Sequence, residues 1–135
     1  MTAHEPLAFD TSPLGDAFGQ LDGPMHLPSL TAAERERAMG QLREWVTALV
    51  GRFAIEPRVI PPCWEQHNGM VEALSALRDH ERACYAETAS PTAAVEWFHA
   101  FREIEARLLS LGASTRCTVH EHRPSHLQAW ARACP

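Results

Sequence analysis

Proline placement decides what this chain can fold into. Pro57, Pro61 and Pro62 crowd one short crossing, Pro91 heads a later segment, and Pro28 closes an opening stretch already broken by Pro6, Pro13 and Pro24. Proline lacks an amide N–H, fixes φ and biases the residue before it to extended geometry, so no helix runs through the crossing from Ala54 to Pro62. Three intervals of helix length remain on either side of these breaks, and each carries apolar residues at helical spacing.

The first interval opens at Thr31-Ala32-Ala33-Glu34, a capping box in which the hydroxyl and the carboxylate each satisfy an amide that has no partner inside the helix. Met39, Leu42, Trp45, Val46, Leu49, Val50 and Phe53 then recur on one face, with Arg35, Arg37, Gln41, Glu44 and Arg52 filling much of the other. The pattern predicts a helix to Arg52 or Phe53. The second helix is expected from Cys63 to Ala86, burying Trp64, His67, Val71, Leu74, Leu77 and Cys84 or Tyr85. Arg78, Asp79, Glu81 and Arg82 place opposite signs three residues apart and read as its solvated face, while Gly69 marks a close approach by a neighbour. Ser90-Pro91 has the cap and the N1 proline in the preferred order for a third helix. Phe98, Phe101, Ile104, Leu108 and Leu111 are expected to face inward, Val95 and Trp97 to lie on the flanks, and Gly112 to end the helix as its C′ residue. Beyond it, 116–124 is short and polar and fits a loop or short strand. Ser125 can cap a last short helix carrying Leu127 and Trp130.

The fold class that follows is all-α: a small three- to four-helix bundle over 30–135, with a disordered acidic N-terminal arm over 1–29 and a Cys/His-rich C-terminal tail. The arm holds Glu5, Asp10, Asp16 and Asp22 and no Arg, so it carries −4; the remaining 13 acids and 12 Arg leave the body at −1. Leu7, Phe9, Leu14, Phe18 and Leu21 in the arm also allow docking on a partner. A near-neutral body offers little to a phosphate backbone, which argues against tight nucleic-acid binding. The absence of Lys beside 12 Arg is a codon-level signature of a GC-rich genome and implies no selection for arginine. The opening residues have neither a basic nor an apolar signal region, and no apolar run approaches the ~18–20 residues of a membrane span. A cytoplasmic setting follows as the expectation, in which Cys63, Cys84, Cys117 and Cys134 are thiols or metal ligands rather than disulfides.

The strongest chemical constellation is Cys63-x3-His67 with Cys117-x2-His120, His122 serving as a substitute for His120. Two ligands from a helix and two from the tail, N and S in kind, suit a tetrahedral structural zinc. The 49 residues between the two pairs exceed common zinc-finger spacings. The competing reading makes Cys63 and His67 packing residues and the tail histidines solvent-facing. Glu96-x-x-His99 with Glu103 resembles half of a carboxylate-bridged di-iron site, whose second Glu-x-x-His is missing. A three-histidine site from His67, His99 and His122 is a thinner option. Trp45, Trp64, Trp97 and Trp130 sit on or beside the apolar stripes and read mainly as core.

These residues also carry a resemblance. Leu42-x-x-Trp45-Val46, Cys63-Trp64-x-x-His67, Leu74-x-x-Leu77, Trp97-Phe98 and Cys117 with His120 or His122 resemble, over residues 40–122, an actinobacterial domain family of unknown function. That family is encoded on conjugative plasmids, integrative elements and phages. The resemblance implies a mobile-element setting and no particular reaction. The expected function is therefore a small interaction or accessory module that binds a protein partner, a second copy of the chain included. A nucleic-acid-associated factor using Arg78, Arg82, Arg116, Arg123 and Arg132 is the first alternative, and a metal-dependent helical-bundle enzyme the second.

Overall fold

A computed structural model describes residues 23–115, 117, 121 and 122. The described residues form three α-helices and two short 3₁₀ turns, with no strand among them. Helix α1 spans Ala32–Phe53, α2 Asn68–Cys84 and α3 Ala93–Thr115; the 3₁₀ turns are Leu27–Ser29 and Trp64–Gln66. The all-α expectation holds. The last short helix expected around Leu127 and Trp130 falls outside the described residues, as do residues 1–22 of the arm. No described helix is long and apolar enough to cross a membrane.

Helix α1 begins where its capping box places it. Thr31 Oγ1 accepts from the Glu34 amide at 3.2 Å, and the Thr31 amide donates to Glu34 Oε1 at 2.9 Å. Leu42, Val46 and Leu49 are its buried stripe. The helix ends by placing Ala54 in the left-handed region at φ 51, a turn made without glycine. Val59, Ile60 and Pro61 then cross the core as buried residues, with the Val59 and Ile60 amides both donating to the Glu56 carbonyl.

Helix α2 starts five residues later than expected, at Asn68 rather than Cys63. After Pro61-Pro62 the chain tightens instead into the turn Trp64–Gln66, with the Trp64 amide on the Pro61 carbonyl and the Gln66 amide on the Cys63 carbonyl. Burial of Trp64 holds this turn against the core, and Arg43 of α1 grips Glu65 with two parallel bonds of 2.7 and 2.8 Å. His67 is extended (φ −118, ψ 104) and is the N-cap residue of α2, so it shares no helical face with Cys63. The two side chains meet across the turn instead.

Helix α2 is the middle element, packed against both α3 and α1. Met70, Val71, Leu74 and Leu77 are essentially sealed from solvent. Glu81 ties it to α1, accepting from Trp45 Nε1 at 2.9 Å and from Arg52 at 3.1 Å. Helix α3 departs from expectation in phase and in length. Trp97, expected on the flank, is completely buried, and Phe98, expected inside, is 51% exposed. The inward stripe is Trp97, Phe101, Ile104, Leu108 and Leu111, alternating steps of four and three, and Phe98 lies one residue off it. Trp97 stacks on Phe101 at 5.5 Å, and Phe53 of α1 meets Phe101 edge-on at 4.8 Å. Nor does Gly112 end α3, which continues to Thr115. A Cβ at Gly112 would lie 3.0 Å from the Arg58 carbonyl, so this glycine admits the crossing segment to the helix surface.

The boundary between arm and body also shifts. Leu27 is buried with the core, Met25 packs against it, and the Met25 amide donates to Asp79 Oδ2 at 2.8 Å. Residues 23–29 therefore belong to the body and not to a disordered arm.

Candidate metal centre

The turn Trp64–Gln66 sets the geometry of the site. Cys63 precedes it, His67 follows it, and both side chains turn toward the place where the chain emerges from α3. Cys117 lies two residues past the end of that helix and His122 five residues further on. One ligand atom from each of Cys63, His67, Cys117 and His122 lies within 4.8 Å of all the others. His67 Nε2 is 3.1 Å from Cys117 Sγ and 3.6 Å from Cys63 Sγ, and His122 Nδ1 is 3.6 Å from Cys117 Sγ. The two imidazoles lean on each other with centroids 4.7 Å apart.

These separations can be set against metal geometry. A tetrahedral zinc with Zn–S near 2.3 Å and Zn–N near 2.0–2.1 Å requires ligand-to-ligand edges of about 3.3–3.8 Å. Of the six edges, the three sulfur–nitrogen distances given above include two in that range and one slightly short, and the others lie within 4.8 Å. Two sulfurs and two nitrogens make up the donor set, and four protein ligands complete a tetrahedron with no position left for water or substrate. The donor set and its convergence are compatible with holding a metal ion.

Burial sets the electrostatics of Cys63 and His67. Burial, and after it the neighbouring Cys117 thiol, pushes the Cys63 thiol up to about 11. Burial, and then His122, pulls the His67 imidazole below its usual range, so the ring is neutral at neutral pH, as a ligand must be. His67 is only 4% exposed, Cys63 and Cys117 are half-buried and His122 is exposed. The site is thus anchored in the core on one side and open on the other. The second ring nitrogen of His67, Nδ1, is buried with no hydrogen-bond partner among the described residues.

Of the five candidate ligands, four converge: Cys63, His67, Cys117 and, of the two tail alternatives, His122. His120 lies outside the described residues. Glu96, His99 and Glu103 are exposed and belong to no ligand group among the described residues, which removes both the half di-iron site and the three-histidine option. Trp64 and Trp97 are core and Trp45 is half-buried against Glu81, while Trp130 lies outside the described residues. The charged patch expected as a solvated face is instead part-buried, because Glu81 bonds to α1 and Asp79 to the Met25 amide; only Arg82 is exposed, 3.6 Å from Asp79, and Arg116, Arg123 and Arg132 lie outside the described residues. One sulfur–imidazole pair escapes sequence reasoning: Cys84 Sγ sits 3.2 Å from His80 Nδ1, one turn apart on α2. Burial, followed by Glu96, raises the Cys84 thiol, and its sulfur packs on α2 outside the cluster of Cys63, His67, Cys117 and His122. The separate turn before α2 was also missed; it lies directly after Pro61-Pro62 and ahead of Asn68-Gly69, which open α2.

Comparison with protein-family models, with curated proteins and with solved structures gave no match.

Proposed function

We propose that the chain is a zinc-clamped helical interaction module. A structural zinc joins the entry of α2 to the segment that follows α3, and the rigid three-helix body serves as a binding partner for another protein. The observation that carries this reading is the convergence of Cys63, His67, Cys117 and His122 within 4.8 Å, a complete set of four protein ligands. A full ligand set supports a structural role over a catalytic one, because a catalytic zinc keeps a position open. The near-neutral charge of residues 30–135 supports a protein partner over a nucleic acid. The resemblance over residues 40–122 adds an accessory role on a mobile element or phage to the same proposal, within the cytoplasm.

Native mass spectrometry of the purified chain tests it directly. The expected result is one zinc per chain, lost in Cys63→Ser and in Cys117→Ser and kept in Cys84→Ser. Protein that purifies metal-free and takes up no zinc on titration overturns the reading. For the choice of partner class, a duplex DNA probe should show no tight binding at physiological salt. A tight complex that weakens steeply with added salt would replace the protein-partner role with the nucleic-acid one.

A further inference from the structure

We infer that Cys63 and Cys117 form a two-electron thiol–disulfide pair, so that oxidation by a hydroperoxide replaces the metal link across the site with a covalent one. The inference rests on the zinc reading for the fate of the metal, and on the geometry alone for the pairing of the sulfurs.

Three observations carry it. Both sulfurs belong to the one cluster whose ligand atoms lie within 4.8 Å of each other, and His67 Nε2 stands between them, 3.6 Å from Cys63 Sγ and 3.1 Å from Cys117 Sγ. A disulfide requires about 2.05 Å between sulfurs, so bonding asks for a local side-chain approach rather than a rearrangement of helices. Both cysteines are half-buried, so a small oxidant can reach them, whereas Cys84 is sealed on α2 beside His80. Finally, Cys63 sits on a turn fixed by Trp64 and the Arg43–Glu65 pair, while Cys117 follows the end of α3. One partner is held and the other is on a connecting segment.

The chemistry balances without a further reagent. One cysteine sulfur attacks the peroxide oxygen and the O–O bond breaks, giving a sulfenic acid and, from hydrogen peroxide, a hydroxide that takes a proton to become water. The second sulfur attacks the sulfenic sulfur, the S–S bond forms and the S–O bond breaks, releasing a second water after protonation. Two thiolates, one hydrogen peroxide and two protons become one disulfide and two waters. A zinc held by the four ligands would lose both sulfurs in this step, and His67 and His122 alone would not suffice to hold it.

The test uses the full-length zinc-loaded chain and hydrogen peroxide as the oxidant. Zinc release is followed with a chromogenic chelator, and the cysteines are mapped by peptide mass spectrometry. The expected result is one zinc released for each Cys63–Cys117 disulfide, with the helical circular dichroism retained and the metal rebound after thiol reduction. A Cys84→Ser, Cys134→Ser double variant should behave as the parent does, because neither residue takes part. Zinc release accompanied by sulfinic acid or by a disulfide through Cys84 or Cys134 overturns the pairing, as does full retention of zinc in excess peroxide. Should the chain bind no zinc at all, the same mapping on the metal-free protein separates the two ideas. A Cys63–Cys117 disulfide there sustains the redox pair while the zinc reading fails, and reduced sulfurs overturn the pair as well.

Discussion

Cys63 and His67 are both held in their neutral forms, and this gives the metal-free protein a definite pH profile. The Cys63 thiol is raised from 9.0 to about 11 in the folded chain. The unfolded thiol therefore ionises first, and the stability this residue contributes is complete below 9.0 and lost as pH climbs from 9.0 toward 11. His67 is lowered from 6.5, so below that value the unfolded chain takes up a proton the folded one resists, and stability falls with acid. Melting curves of chelator-treated protein should accordingly be highest between pH 6.5 and 9.0. Zinc affinity should rise with pH through the same interval, since two thiols must give up protons to bind it. A metal-free melting temperature that stays level up to pH 11 would contradict the burial of Cys63. The residue types at this site were readable from the sequence, because Cys-x3-His and a later Cys with histidines suffice to nominate ligands. Their mutual orientation was not. The same spacing that would stack Cys63 over His67 on a helix here spans a 3₁₀ turn with an extended residue at its end. Nothing in the residue types distinguishes His122 from His120 before the path after α3 is known.

Glycine inside a helix costs about 0.5–1 kcal/mol against alanine, and three of the four glycines in the described helices, Gly40, Gly51 and Gly112, separate that backbone cost from packing. A Cβ at Gly40 or Gly51 meets nothing within 4 Å, so Gly40→Ala and Gly51→Ala should each stabilise α1 by roughly that amount in urea titrations. A Cβ at Gly112 lies 3.0 Å from the Arg58 carbonyl, a backbone atom held by the buried Val59–Pro61 crossing. Gly112→Ala should gain nothing and lower stability instead; a gain equal to that at Gly51 would show that the crossing yields freely. The same contrast explains which element boundaries could be read in advance. The start of α1 is written locally in Thr31 and Glu34, which bond to each other, and it was correctly expected. The end of α3 depends on a neighbour 54 residues away in the chain, and a close-approach glycine looks identical to a C′ glycine until that neighbour is placed. The phase of α3 failed for a related reason. Trp97 and Phe98 are adjacent and equally apolar, and the stacking of Trp97 on Phe101 inside the bundle decides between them.

For the whole molecule, core and metal make separable contributions. Leu74 is fully buried between α2 and its neighbours, so Leu74→Ala should cost about 2–5 kcal/mol, a large part of the ~5–15 kcal/mol typical of a domain. Leu74→Ala with Phe101→Ala should leave the chain unfolded by circular dichroism with or without zinc. The metal contribution acts through the topology. The site links a turn ahead of α2 to a segment beyond α3, so binding to the folded chain resists the separation of these two helices. A ligand that binds only the folded state stabilises it by about 4 kcal/mol when its free concentration is a thousand times its Kd. In a chain of this size that corresponds to a melting shift on the order of 10–20 °C. Wild-type protein with excess zinc should therefore melt that much higher than the same protein with chelator. The decisive comparison is with the variants. Cys63→Ser should melt near the temperature of chelated wild type and should not respond further to chelator, because the ligand set is already broken. Cys84→Ser, whose sulfur lies on α2 beside His80 and outside the cluster, should keep the full chelator response even if its own baseline drops. Equal chelator shifts in both variants would place the metal elsewhere in the chain, and no shift in wild type would leave Cys63 and His67 as packing residues at the entrance to α2.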